Sequence, residues 1–119
     1  MEIHERNLWD QMTKWKKSIW INNCPFCINE KWLIIWRNKS WHIRHNKYPY
    51  NSNKKHLLLI TNRHIEHVQD LNNEELLEIK EAENFLNNYY KWDNYFSFIR
   101  QTDWWKSIKH IHYHYFPWI

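Results

Sequence analysis

Not one glycine occurs in the 119 residues of this chain. Glycine takes positive φ without steric cost, so every tight turn here must be made by other residues. At ordinary usage of about 7%, a chain of this length would carry roughly eight. Ten tryptophans, the rarest residue in most proteins, stand beside that absence. Asparagine tolerates the left-handed region and is abundant, but it covers the need only in part. Together these anomalies raise the question of whether some tryptophans stand where the fold wants glycine.

The length suits one domain with a modest core. Apolar residues are 43% of the chain and charged residues 25%, and no apolar run approaches the ~20 residues of a membrane-spanning helix. The stretch "MEIHERNLWDQMTKWKKSIW" lacks the apolar core of a secretory signal, so a cytoplasmic location is expected. Seventeen Lys and Arg against thirteen Asp and Glu give a net charge of +4. That charge suits a phosphorylated small molecule or nucleic acid. Because the lysines are scattered rather than clustered, a nucleic-acid groove is the less favoured partner.

Leu8, Met12, Trp15 and Ile19 recur at helical spacing and predict a short amphipathic helix over 5–19. "NNCPFCIN" is a turn. "LII" (33–35) and "SWHIRHN" (40–46) read as strands, the second alternating Trp41, Ile43 and His45 with polar neighbours. "KYPYNSNKK" is a loop, and "HLLLI" (56–60) an apolar run suited to the centre of a sheet. A helix capped by Asn72 or Asn73 runs to about residue 90, burying Leu76, Leu77, Ile79, Phe85, Leu86 and Tyr89. Residues 94–100 and 106–116 read as two more strands. The pattern is α+β: an antiparallel sheet, one long helix and the short N-terminal helix.

Within "KSIKHIHYHYF", the alternation puts His110, His112 and His114 on one face of a strand, about 7 Å apart from one to the next. Ile111, Tyr113 and Tyr115 take the other face. Three imidazoles in a row are costly to bury without partners. Neutral imidazole can attack phosphorus near pH 7 and then leave, so such a row suits nucleotidyl transfer. A solvated surface strand or an adventitious metal site has the same spacing. Cys24 and Cys27, the only cysteines, form a C-x-x-C pair, which suits metal binding or redox chemistry. The redox reading wants a thioredoxin-like βαβ unit that the pattern does not supply. Zinc needs two further ligands, and nine histidines are available.

"SIKHIHYHYF" resembles the histidine-triad (HIT) motif, in which three histidines alternate with apolar residues behind a serine. "HNKYPYNSNKKHLLLITNRHIEHVQDL" resembles the upstream half of the same domain, and "CPFC" the paired cysteines near its start. The resemblance covers residues 24–117 of a single domain spanning 1–119. It implies an antiparallel sheet with one long helix, a homodimer joining two sheets, nucleotide substrates, and a covalent nucleotidyl-histidine intermediate. It implies His112 as the nucleophile on the α-phosphate and His114 on the phosphate or leaving group. Ser107 would donate to a phosphate oxygen, His56 would support the triad, and Asn46 would hold the ribose. It also implies a structural zinc on Cys24, Cys27, His64 and His110, with His67 as a lower-ranked competing ligand. The expected activity is that of a nucleotide hydrolase or nucleotidyltransferase on dinucleoside polyphosphates or nucleoside phosphoramidates. The alternative is a non-catalytic, zinc-stabilised module binding nucleotides or RNA.

Departures from the resemblance return to the opening anomaly. The family commonly has two glycines where Trp104 and Trp105 stand, and often one near Trp118. A gene that uses UGA for glycine, translated as though UGA meant tryptophan, accounts for the missing glycines and the surplus tryptophans together. A tryptophan-rich relative without activity is the competing account, while Trp41 fits its strand as a genuine tryptophan. Lys54 and Lys55 replace a usual Pro-Gly before His56, and Ile99 and Arg100 stand where an asparagine often precedes the phosphate loop. The sequence ends three residues after Phe116, short of a C-terminal segment found in many relatives. These departures bear on substrate choice more than on reaction type.

Overall fold

The computed structural model describes residues 24–28, 30–101 and 108–117. The expected helix over 5–19, and Trp104, Trp105, Ser107 and Trp118, lie outside the described residues. Among these residues are five strands, β1 (Ile34–Arg37), β2 (Trp41–His45), β3 (Leu57–Thr61), β4 (Tyr95–Ile99) and β5 (His112–Pro117), and one long helix, α1 (Asn73–Tyr89). The strands form one sheet in the order β1-β2-β3-β5-β4 with every neighbouring pair antiparallel. This is the expected α+β arrangement. The apolar run of β3 lies third of five, and all its residues are buried.

The strand period divides the sheet into two faces. Trp41 and Ile43 of β2, Leu57 and Leu59 of β3, and Tyr115 of β5 pack with Ala82, Leu86 and Tyr90. Each large apolar side chain buried there contributes about 1.5–3 kcal/mol. Trp41 is wholly buried, and its indole N–H donates to the Glu75 carbonyl at 2.8 Å. Tryptophan therefore fills this position in both volume and hydrogen bonding.

Helix α1 starts where "NNEE" gives it a reciprocal cap. Glu75 N–H donates to Asn72 Oδ1 at 2.8 Å, and Asn72 N–H to Glu75 Oε1 at 2.9 Å. Glu75 is buried and also accepts from Arg63 at 2.9 Å. The buried arc runs through Glu75, Ala82 and Leu86, with Ile79, Phe85 and Tyr89 partly buried beside it. Leu76 and Leu77 were expected inside but are 52% and 76% exposed. They lie about 100° and 200° around the helix from Glu75, and the sheet covers only one stripe of it.

Of the strand expected over 106–116, residues 108–111 are not strand, and β5 begins at His112. The chain bends at 108–110, and Ile111 N–H pairs with the Ile65 carbonyl at 2.7 Å instead of joining the β3 ladder. His110 therefore precedes the strand that carries His112 and His114. Among the described residues, only Asn51 (φ 53°) and Ser52 (φ 55°) have positive φ. Both lie in the loop between β2 and β3, where residues other than glycine make the turn. The helix closes at Tyr90 (φ −90°, ψ 10°), with no left-handed residue there.

Candidate active site

The sheet face away from α1 carries buried polar groups, and two clusters form on it. In the first, Cys24, Cys27, His64 and His110 bring four donor atoms within 4.8 Å of one another. Cys24 Sγ lies 3.4 Å and Cys27 Sγ 3.6 Å from His110 Nδ1, and Cys27 Sγ lies 3.1 Å from His64 Nδ1. A tetrahedral ion with metal–sulfur bonds of about 2.3 Å and metal–nitrogen bonds of about 2.0–2.1 Å sets its ligand atoms roughly 3.3–3.8 Å apart. The donor set and its spacing fit such an ion. His110 Nε2 donates to the Thr61 carbonyl at 2.8 Å, so Nδ1 keeps its lone pair toward the two sulfurs. Burial pushes the Cys24 thiol up to about 12 and the His110 imidazole down to about 3. A buried thiolate at Cys24 thus requires a cation beside it. The bend before β5 is what turns His110 toward the cysteines. His67 stands just before the short 3-10 turn Val68–Asp70 and is not one of the four.

The second cluster assembles His56, His112, His114 and Asn46. Register across the sheet sets Ile60 opposite His112 and Leu58 opposite His114. His112 Nδ1 donates to the His110 carbonyl at 2.7 Å, which puts the lone pair of the neutral ring on Nε2. Tyr50 N–H donates to His56 Nδ1 at 3.1 Å, so His56 carries its proton on Nε2. That proton faces His114 Nδ1 at 2.9 Å, which in turn puts the His114 proton on Nε2. Backbone groups at Tyr50 and His110 therefore set complementary tautomers, a basic nitrogen on His112 and a donor on His114. Burial, then the charges of His112 and Arg100, hold His56 down at about 3, so it stays neutral. Asn46 Oδ1 accepts from Tyr48 N–H at 2.9 Å, and its amide nitrogen is 3.3 Å from both His56 ring nitrogens.

Sequence reasoning missed several members of this face. Phe26, inside the C-x-x-C loop, meets the His112 ring edge-on at 4.9 Å. Phe98 stacks on His114 at 4.6 Å and 2°, and Tyr50 lies near-parallel to the same ring at 5.6 Å. His42 and Arg44 are each 2% exposed. Arg44 donates to His42 Nε2 at 2.9 Å, and His42 Nδ1 donates to Asn62 Oδ1 at 2.9 Å. The alternation of Trp41 and Ile43 placed His42 and Arg44 on this face, but gave no sign that the face is covered.

No protein-family profile matches the chain, and no curated protein sequence does. Solved structures do, and they share the histidine-triad fold. A HIT family hydrolase from Clostridium thermocellum is 21% identical, with a TM-score of 0.67 over 82% of this chain and 92% of that one. A histidine triad nucleotide-binding protein from Candida albicans is 17% identical, with a TM-score of 0.68 over 79% and 73%. Diadenosine triphosphate hydrolase from Plasmodium falciparum is 23% identical, with a TM-score of 0.66 over 76% of this chain and 63% of that one. The likeness is one of fold. No helix among the described residues is long and apolar enough to cross a membrane.

Proposed function

We propose that this chain is a nucleotide hydrolase or nucleotidyltransferase that cleaves at an α-phosphate through a nucleotidyl-histidine formed on His112. The observation that carries this reading is the opposed pair of tautomers. His112 Nδ1 is tied to the His110 carbonyl at 2.7 Å, and His114 Nδ1 accepts from His56 at 2.9 Å. His112 Nε2 attacks the α-phosphorus, the bond to the leaving group breaks, and that group takes the bond's electron pair. His114 donates a hydrogen bond from Nε2 to the leaving atom, which takes any proton it needs from solvent. Water or another acceptor then attacks, the P–N bond breaks, and His112 is regenerated. Ser107 donates to a phosphate oxygen, and Asn46 serves the ribose.

Zinc fits the Cys24, Cys27, His64 and His110 cluster. Bound there it acts structurally, because four protein ligands leave no open position for water. These residues tie the C-x-x-C loop to the segment that orients His112. Edge strand β4, with Phe96 43% exposed, offers the sheet edge at which a second copy would form a homodimer. Resemblance to nucleotide-acting proteins of this fold and the absence of a membrane-spanning helix among the described residues favour a cytoplasmic enzyme.

The test is AMP release from diadenosine tetraphosphate and from adenosine phosphoramidate, using protein made with codons 104 and 105 read as its own cell reads them. UGA at both codons is the expected result, and a Trp104→Gly, Trp105→Gly chain is then the protein to assay. Ordinary UGG codons there, with nucleotide affinity but no turnover above a His112→Ala control, would establish the non-catalytic binding module instead.

A further inference from the structure

Arg100 follows directly on β4, and the register of β4 against β5 locates it. Phe98 stands opposite His114, and Ile99 opposite Tyr113. One further step sets Arg100 opposite His112. Because Phe98 stacks on the His114 ring, the period of two returns Arg100 to that same face. Its Nη2 donates to the Tyr50 hydroxyl at 2.5 Å. The Tyr50 ring in turn lies 4.5 Å from His56 and 5.6 Å from His114, so a guanidinium is tethered beside the histidine pair. Its positive charge is felt at His56.

A permanent cation there has a chemical consequence that depends on what leaves. When the Pα–O bond of a polyphosphate breaks, its electron pair goes to the bridging oxygen, and negative charge builds on the departing phosphates. A guanidinium stabilises that charge in a low-dielectric site and can bridge two oxygens at once. When a phosphoramidate Pα–N bond breaks, the nitrogen takes the electron pair, accepts a hydrogen bond from His114 and a proton from solvent, and leaves as an amine. An arginine offers that leaving group nothing.

We propose that Arg100 determines specificity by binding the phosphates beyond the α-phosphorus, so the site prefers anionic polyphosphate leaving groups to amines. This rests on the nucleotidyl-transfer reading above. The test compares kcat/KM for diadenosine tetraphosphate and adenosine phosphoramidate in the parent, Arg100→Ala, Arg100→Lys and Tyr50→Phe proteins. Arg100→Ala should lose about 100-fold on the tetraphosphate, mostly in kcat, and less than about threefold on the phosphoramidate. Arg100→Lys should recover part of the loss. Tyr50→Phe keeps the ring beside His114 but removes the hydroxyl that Arg100 bonds to, and should reproduce a smaller, still selective loss. Equal losses on both substrates would mean that Arg100 only props Tyr50, which overturns the proposal. A parent protein that turns over neither substrate overturns the nucleotidyl-transfer reading instead, and a parent that prefers the phosphoramidate overturns the specificity alone.

Discussion

On β2, Trp41 and Ile43 turn toward α1 while His42 and Arg44 turn away, and all four are buried. The same contrast runs across the sheet. Leu57, Leu59 and Tyr115 belong to the helix-side core, whereas His56 and His114 belong to a hydrogen-bonded array with Tyr50. One face is held by area removed from water, which is non-directional and tolerates swaps of similar volume. The other is held by donors meeting acceptors, where a lost partner strands a buried polar group. On β2 the apolar and the hydrogen-bonded side chains are thus separated by a single-residue step, whereas β3, with Leu58 and Ile60 also buried, is apolar on both faces.

Substitutions on the two faces should therefore fail in different ways. His112→Ala should reduce AMP release by about 10³-fold or more while the thermal midpoint barely moves, since His112 is only half-buried. A comparable drop in stability would show that the polar face also holds the fold. Cys24→Ser should remove the metal and cost on the order of 3 kcal/mol or more, read as metal content and chemical denaturation. Retention of one zinc per chain in that variant would remove Cys24 from the site. Leu86→Ala, wholly within the apolar face, should cost about 2–5 kcal/mol and leave activity per folded molecule unchanged.

Acid should act through the polar face. Burial holds His56 at about 3 and His42 at about 4, both below the unfolded value near 6.5. Their native-state contribution is complete above about pH 6.5 and is lost as pH falls toward those values, because only the unfolded chain takes up protons there. Denaturation midpoints should decline from pH 6.5 to pH 4, and His42→Gln should flatten that slope. A midpoint independent of pH across this range would contradict it. The smallest effect belongs to neither face. Ser52→Gly, at φ 55°, should raise stability by about 1 kcal/mol, measured by urea denaturation.

The apolar face was largely legible in the sequence, because a period of two in β2 and the "LLLI" of β3 report burial directly. A cap for α1 at Asn72 or Asn73 was legible for the same local reason, though the reciprocal bond from Glu75 was not. Leu76 and Leu77 were not, since which stripe of a helix is covered depends on how it sits on the sheet. The alternation of His112 and His114 announced half of the site. Tyr50, Phe26 and Phe98 escaped because each reaches the histidines from a separate segment, brought close only by the closure of the sheet. The bend that takes His110 out of β5 has no local signal either, because "KSIKHIHYHYF" is uniformly strand-like in composition.

The strand order has a consequence for how the molecule is assembled. Strands β1, β2 and β3 can pair in succession through local turns, but β4 joins the sheet only through β5, which lies between it and β3. Leu57 then meets Tyr115, a contact between residues far apart along the chain, and such closures are slow because the intervening loop entropy is lost first. The inserted strand is the one that carries His112 and His114. A partly folded chain can therefore have a meander and a helix but no histidine pair. On the function proposed above, regain of AMP release on refolding should follow the slowest, sheet-closing phase and so serve as a clock for the final folding step.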